Sequence, residues 1–71
     1  MTQTTLRQAR LAAGLTLREV AQAAELAPSS ICHFECGRFT PSPRAFERWR
    51  SALKALVATR AAEIASHLVE L

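Results

Sequence analysis

Residues 14–37, GLTLREVAQAAELAPSSICHFECG, contain the signals that decide the fold of this 71-residue chain. Thr16 and Glu19 are spaced as in a capping box, where a hydroxyl and a carboxylate satisfy the N–H groups that a helix start leaves free. The residues that follow, 17–24, repeat apolar side chains at intervals of three and four, which predicts a short amphipathic helix. Upstream, a first helix is expected to end just before Gly14, which supplies a left-handed cap.

Proline marks the starts of two further helices downstream. Pro28 opens a third helix that runs to about Cys36 and ends before Gly37, because the missing proline N–H is harmless at a first helical position. Joined to the preceding helix by a three-residue turn, it makes a helix-turn-helix whose second helix begins with exposed small polar residues. Ser42 and Pro43 repeat the combination of cap and first-turn proline ahead of a fourth helix.

The last stretch of the chain, residues 44–71, contains neither glycine nor proline. Its apolar residues recur at spacings of three and four, which is typical of one long helix or of two shorter ones. We expect a break at residues 58–60, with Thr59 as the second N-cap, because an unbroken helix would overhang so small a domain. The sequence therefore predicts an all-α fold, a small bundle of four or five helices.

Composition excludes several classes of protein. The chain holds one small core, and two cysteines cannot form a dense disulfide framework, so we expect a reducing, cytoplasmic location. No apolar run approaches the roughly 20 residues that a membrane-spanning helix needs. We expect no secretory signal, because the first residues are polar and no cleavable apolar segment follows them. Aspartate and a glycine-rich phosphate loop are absent from the sequence, and a substrate pocket would not fit, so we expect neither an enzyme nor a cofactor.

The positive charge is confined to one part of the chain. The formal net charge is +3, and residues 7–50 carry that whole excess, whereas residues 51–71 are neutral. All but one of the cations are arginines, which suit bidentate contacts with phosphate. We therefore divide the chain into a helix-turn-helix domain that carries the positive charge, residues 1–56, and a neutral C-terminal helical extension, residues 57–71.

The joint spacing of several short motifs resembles the Cro and phage-repressor class of helix-turn-helix proteins, also called the XRE family. The matching residues are Leu6-Arg7-x-x-Arg10, Gly14-Leu15-Thr16, Glu19-Val20-Ala21, Leu26-Ala27, Ile31, Glu35-x-Gly37 and Pro41. The span from Leu6 to Leu53 covers about two thirds of the chain. The resemblance implies a bundle of four or five helices that binds double-stranded operator DNA as a homodimer, usually in bacteria, phages or plasmids.

Carried onto this sequence, the resemblance implies two groups of DNA-contacting residues. Those that would contact base edges in the major groove are Pro28, Ser29, Ser30 and His33. Those that would hold phosphates are Arg18, Arg38, Thr40 and Arg44. Serine discriminates weakly among bases and proline offers only apolar contact. We therefore expect DNA shape, arms or loops to supply much of the specificity.

Arg10 and Glu35 fall on helix faces that are otherwise apolar, where a lone charge is expensive. The resemblance implies that they meet as a buried ion pair between the first and third helices. We expect this pair to orient the recognition helix without contacting a base. Three positions depart from the family pattern: Leu17 replaces a phosphate-donating glutamine, Glu25 a turn glycine and Ala27 an N-capping serine.

Apolar residues of the neutral extension indicate a protein contact. The candidate dimerisation residues are Val57, Ala61, Ile64, Leu68 and Leu71. We expect a second copy of the chain as the partner, because one helix-turn-helix buries little DNA surface and two permit recognition of a palindrome.

The function expected is a transcriptional regulator, most simply a repressor. The alternative is an antitoxin-type XRE protein whose main partner is a toxin protein, with autoregulatory DNA binding. A membrane-surface role is not expected, since the extension lacks a cationic face.

Two cysteines and two histidines raise the question of a metal site. Cys32 and Cys36 can share an ion at this spacing, but a structural zinc site needs four ligands in closed tetrahedral geometry. His33 lies about 100 degrees around the helix from Cys32, and His67 belongs to the distant extension. We therefore expect no metal, and we expect Cys32 to fill a half-buried position.

Overall fold

A computed structural model of the protein describes residues 2–69. These residues form four helices: α1 (Gln3–Ala12), α2 (Leu17–Ala24), α3 (Pro28–Glu35) and α4 (Pro43–Val69). Within this range there is no strand, so the all-α fold with a helix-turn-helix in α2 and α3 is confirmed. None of the four helices is long and apolar enough to cross a membrane.

The helix starts are set by side-chain caps where the sequence supplies them. Thr16 and Glu19 form the predicted capping box: the Thr16 Oγ1 accepts from the Glu19 N–H at 3.0 Å, and the Glu19 Oε2 accepts from the Thr16 N–H at 2.8 Å. Ser42 caps α4 by accepting from the Ala45 N–H at 3.1 Å. Ala27 makes no such bond, so α3 begins without a side-chain cap.

Helices α1, α2 and α3 end in the same backbone motif. The residue after each helical stretch, or the next one, adopts a left-handed conformation, with φ of 70° at Gly14, 57° at Glu25 and 74° at Gly37. The residue that follows donates its N–H to a carbonyl five residues back, at 2.9–3.0 Å. This is a Schellman motif, and it turns the chain sharply enough to pack the next helix across the last one.

Glu25 is the non-glycine member of this set, and Arg48 of α4 supports it. The Arg48 Nε donates to the Ala24 carbonyl at 3.1 Å and its Nη2 to the Glu25 carbonyl at 3.0 Å. A cation at the end of α2 stabilises the negative end of the helix dipole and occupies carbonyls that lack a helical partner. The backbone of Glu25 nevertheless keeps a left-handed conformation, which residues with a Cβ disfavour.

Replacing Glu25 with glycine is expected to raise the free energy of unfolding by about 0.5–1 kcal/mol, because glycine adopts positive φ without strain. Urea unfolding followed by circular dichroism measures the change. Glu25→Ala is the matched control: it removes the same carboxylate but keeps the Cβ, so it should leave stability unchanged or lower it. An equal gain in both variants would locate the cause in the carboxylate rather than in the backbone.

The core lies where the four helices meet and uses only the first part of α4. Its buried side chains are Leu6, Leu15, Val20, Ala21, Ile31, Trp49 and Leu53. Trp49 is fully buried and packs against Phe34 and Phe46, with ring centroids 5.7 and 6.0 Å away. Because Ile31 of α3 is also fully buried, the core fixes which side of α3 faces outward.

The expected break at residues 58–60 is wrong, because α4 continues as one helix to Val69. This segment is rich in alanine, the strongest helix former, and lacks glycine and proline, so helix propensity outweighs the tendency to stay compact. The overhang that argued for a break is present: the molecule measures 44 × 20 × 18 Å, and residues 61–69 are all exposed. Leu71, a candidate dimerisation residue, lies outside the described residues.

Candidate nucleic-acid interface

The first turn of α3 projects from the helix-turn-helix. Pro28 and Ser29 are exposed, whereas Ser30 and His33 are half-buried and Ile31 points into the core. Ser29 and His33 stand four residues apart and therefore share one face of α3. The structure thus places the four candidate base-contacting residues on the outer part of α3, with two of them only partly accessible.

Arg10 and Glu35 join α1 to the end of α3 through a bidentate ion pair. The Arg10 Nε donates to the Glu35 Oε2 at 2.7 Å and the Nη2 to the Oε1 at 2.9 Å, while the Nη1 donates to the Leu15 carbonyl at 2.9 Å. The side chains are only 11% and 4% exposed. The hydrogen bonds that Arg10 donates to Glu35 raise the pKa of Arg10 above its ordinary value, so the guanidinium stays charged.

Gln3 ties the loop after α3 to the N-terminus of α1. Its Nε2 donates to the Phe34 carbonyl at 2.8 Å and to the Phe39 carbonyl at 3.1 Å. One side chain therefore spans the two ends of the segment that carries the candidate phosphate ligand Arg38. Sequence reasoning missed this contact, since a polar residue near the start of a helix carries no signal of a partner more than thirty positions away.

A second contact holds the same loop against α3. The rings of His33 and Phe39 meet edge to face, with centroids 4.9 Å apart and an interplanar angle of 77°. The backbone continues this contact, because the Arg38 N–H donates to the His33 carbonyl at 2.9 Å. His33 is therefore part of a fixed α3–loop unit rather than an independent side chain.

Ion pairing sorts the charges of the molecule into two sets. Every glutamate among residues 2–69 lies within 4.0 Å of an arginine side chain. The pairs are Arg10–Glu35, Arg48–Glu25, Arg50–Glu47, Arg60–Glu19 and Arg60–Glu63. The cations without an acidic partner in that part of the chain are Arg7, Arg18, Arg38, Arg44 and Lys54. All three candidate phosphate-binding arginines fall in this second set.

Two of these arginines stand where a cation is otherwise unfavourable. Arg18 is the second residue of α2 and Arg44 the second residue of α4, next to the positive end of each helix dipole. Both side chains are exposed, as are Arg38 and Thr40 in the loop. Leu17 packs half-buried against the core. Because its side chain is apolar, this position offers no donor to a phosphate.

The two cysteines lie at the end of α3 and are free thiols. Cys32 is half-buried and Cys36 exposed. A hydrogen bond with Cys36 is the main cause that raises the pKa of Cys32, which favours the protonated thiol over the thiolate that binds metals. In the part of the chain that the structure describes, no group of three or more His, Cys, Asp or Glu side chains is arranged to hold a metal ion.

Comparison with known protein families matches residues 4–62 to the helix-turn-helix domain family. The match takes in α1, α2 and α3 together with most of α4, and it agrees with the XRE-like pattern of motifs. Comparisons with curated proteins and with solved structures gave no significant match. The length of the match and the α2–α3 geometry place this chain in the helix-turn-helix family of DNA-binding domains.

Proposed function

We propose that this protein is a sequence-specific transcriptional regulator, a repressor in the simplest case, that binds an inverted-repeat operator as a homodimer. The observation that carries the proposal is that the candidate phosphate-binding arginines have no acidic partner among residues 2–69, whereas other arginines do. Because the glutamates of residues 2–69 pair with other arginines, Arg18, Arg38 and Arg44 remain available for phosphate. The protein acts in the cytoplasm by binding, with no cofactor and no catalytic step.

DNA recognition would centre on the first turn of α3 in the major groove. Small side chains at Ser29 and Ser30 permit close approach of the helix, while His33 and Pro28 add one polar and one apolar contact. Phosphate contacts on both sides of α3 would fix its depth and angle in the groove. The bidentate Arg10–Glu35 pair supports this arrangement, since it holds the end of α3 against α1.

Dimerisation would use the exposed face at the overhanging end of α4. Two adjoining apolar grooves of about 300 and 310 Å³ lie between α1 and α4 and share Ala9 and Val57. Ile64, which lines the second groove, is 54% exposed, and Leu68, one turn further along α4, is 62% exposed. Residues 61–69 of α4 are exposed, so burying the apolar side chains among them against a partner would be favourable. A second copy is therefore proposed to cover Val57, Ala61, Ile64, Leu68 and Leu71, with residues 57–71 acting as an extension of the domain in residues 1–56.

Selection of bound duplexes from a randomised pool tests the proposal as a whole. The enriched sequences should share an inverted repeat whose half-sites lie about one helical turn, 10–10.5 base pairs, apart. Three phosphate-binding arginines per protomer predict a slope of about −5 when the logarithm of the binding constant is plotted against that of salt concentration. Enrichment of no sequence, or a slope near zero, would contradict the proposal.

Arg38→Ala is expected to weaken binding of the selected duplex and of an unrelated duplex by the same factor. The salt slope should become shallower by about one per protomer, because a phosphate contact carries no sequence information. Ser29→Ala should instead change the preference among half-sites and leave the salt slope unchanged. Arg50→Ala is the matched control, since Glu47 already pairs with that guanidinium at 2.6 Å. A selective effect of Arg38→Ala on one sequence would show that Arg38 contacts a base.

A further inference from the structure

Phe39 is the one phenylalanine of the three that does not belong to the core. Phe34 and Phe46 pack around Trp49, whereas Phe39 is 55% exposed in the loop after α3. The other large exposed hydrophobic side chains among residues 2–69 are Leu11, at the end of α1, and Ile64, Leu68 and Val69 of the overhanging α4. Phe39 is therefore separate from the apolar surface assigned to dimerisation.

The position of the Phe39 ring is fixed although the ring is exposed. The ring packs edge to face with the His33 ring, and the two ring centroids are 4.9 Å apart. Its backbone carbonyl accepts from the Gln3 Nε2 at 3.1 Å, and the adjacent Arg38 N–H donates to the His33 carbonyl at 2.9 Å. A ring that packs on His33 and whose backbone is hydrogen-bonded loses less conformational freedom on binding than a free side chain, so a contact made by its exposed part is efficient.

The surroundings of this ring are those of the proposed DNA surface. Arg38 and Thr40, the two candidate phosphate ligands of the loop, are its neighbours in sequence. His33, which supports the ring, shares a face of α3 with Ser29. When α3 lies in the major groove and the loop lies on the backbone, Phe39 is carried to the edge of the groove between them.

We propose that Phe39, backed by His33, forms an apolar contact for the C5-methyl group of a thymine in each half-site. The inference rests on the proposed DNA-binding function and adds a specificity-determining residue to it. The thymine methyl is the apolar group that bases display in the major groove, and phenylalanine is one of the side chains that contact it. Such a contact supplies discrimination that the weakly specific Ser29 and Ser30 lack.

The test is a double-substitution cycle on the full-length chain. The probe is the duplex enriched from the randomised pool, with each thymine in turn replaced by deoxyuridine, which removes only the methyl group. In each half-site, one thymine is expected to be sensitive: its replacement alone should weaken binding by the wild-type protein about three- to five-fold, the effect of one buried methyl group. In Phe39→Ala the same replacement should change binding less than about 1.5-fold. Phe39→Leu, which keeps an apolar side chain, should retain part of the methyl effect.

Two controls separate the contact from general damage to the loop. Phe39→Ala should lose less affinity for an unrelated duplex than for the enriched one, because the phosphate ligands Arg38 and Thr40 are unchanged. Its thermal unfolding midpoint should fall by only about 4–8 °C, because Phe39 lies outside the core and the substitution removes only the edge-to-face contact with His33. A uracil penalty of equal size in wild type and Phe39→Ala overturns the inference, as does a wild type insensitive to every uracil. Both of these outcomes leave the proposed DNA-binding function intact. If no duplex is enriched at all, the proposed function and the inference about Phe39 fail together.

Discussion

Arg10→Ala is expected to lower the free energy of unfolding by about 3–5 kcal/mol, because it leaves the Glu35 carboxylate buried without its partner. Glu35 is only 4% exposed and receives two of the three Arg10 hydrogen bonds, so the substitution removes both charged donors from a nearly buried carboxylate. The third hydrogen bond, to the Leu15 carbonyl, is lost as well. Small domains are stable by about 5–15 kcal/mol in total, so this variant should be unfolded to a measurable extent at room temperature.

Urea unfolding of Arg10→Ala beside Arg50→Ala isolates the effect of burial. Arg50 also makes a bidentate pair, with Glu47, but Glu47 is exposed, and breaking an exposed pair should change stability by less than about 1 kcal/mol. A loss below about 1 kcal/mol for Arg10→Ala would contradict a structural role for the buried pair.

A double variant, Arg10→Met with Glu35→Leu, separates stability from orientation of α3. Removing both charges together should restore most of the stability, because apolar side chains of similar volume avoid the desolvation penalty. If α3 is oriented by the bidentate geometry, the double variant should still bind the selected duplex more weakly than the wild type. Wild-type affinity in a stable double variant would show that the pair serves stability alone.

Local signals explain why so much of the helix-turn-helix is predictable from the sequence. The capping box sets the start of α2, Pro28 sets the start of α3, and Gly14 and Gly37 occupy left-handed positions. Each of these signals acts over a few residues and depends on backbone chemistry that the residue type alone decides. Glu25 is the exception, because it adopts positive φ although its residue type does not favour it, and Arg48 of α4 supports the turn.

Long-range contacts had no comparable signal. The Gln3 bonds to the loop and the Arg48 cap on α2 join residues more than twenty positions apart, and nothing periodic relates them. The break expected in α4 is wrong for a different reason: in this alanine-rich segment helix propensity outweighs the tendency to stay compact. The candidate phosphate ligands could be named from the family resemblance. Which arginines lack an acidic partner could be seen only in the structure, because the ion pairs join distant parts of the chain.

Pairing of charges also changes the meaning of the small net charge. A chain with a formal charge of +3 would ordinarily attract DNA weakly. Here the glutamates of the described range are adjacent to Arg10, Arg48, Arg50 and Arg60, so the excess is concentrated on the remaining cations. The electrostatic contribution of one protomer is still limited, which makes the use of two protomers the most consequential part of the proposal.

A variant that carries both Ile64→Glu and Leu68→Glu is expected to be monomeric and to bind the selected inverted repeat about 100-fold or more weakly. Both side chains are more than half exposed, so the charges should not disturb the core, yet a second copy could not cover them without burying unpaired carboxylates. Loss of the dimer removes the second half-site contact, whose advantage through effective concentration is about 10²–10⁴-fold. Sedimentation equilibrium and titration with full-length and half-site duplexes measure the two effects.

The matched control adds the same two charges to the opposite face of α4, in Ala62→Glu with Ser66→Glu. Because these positions are two residues from Ile64 and Leu68, they point away from the proposed interface, and dimer and affinity should both be kept. Weakened binding confined to the Ile64 and Leu68 variant, with half-site affinity unchanged, identifies this face as the dimer surface. A wild-type chain that is monomeric at micromolar concentration would contradict the homodimer. Recovery of a defined complex with a toxin protein bound at this same face would then support the antitoxin alternative, in which the toxin covers it.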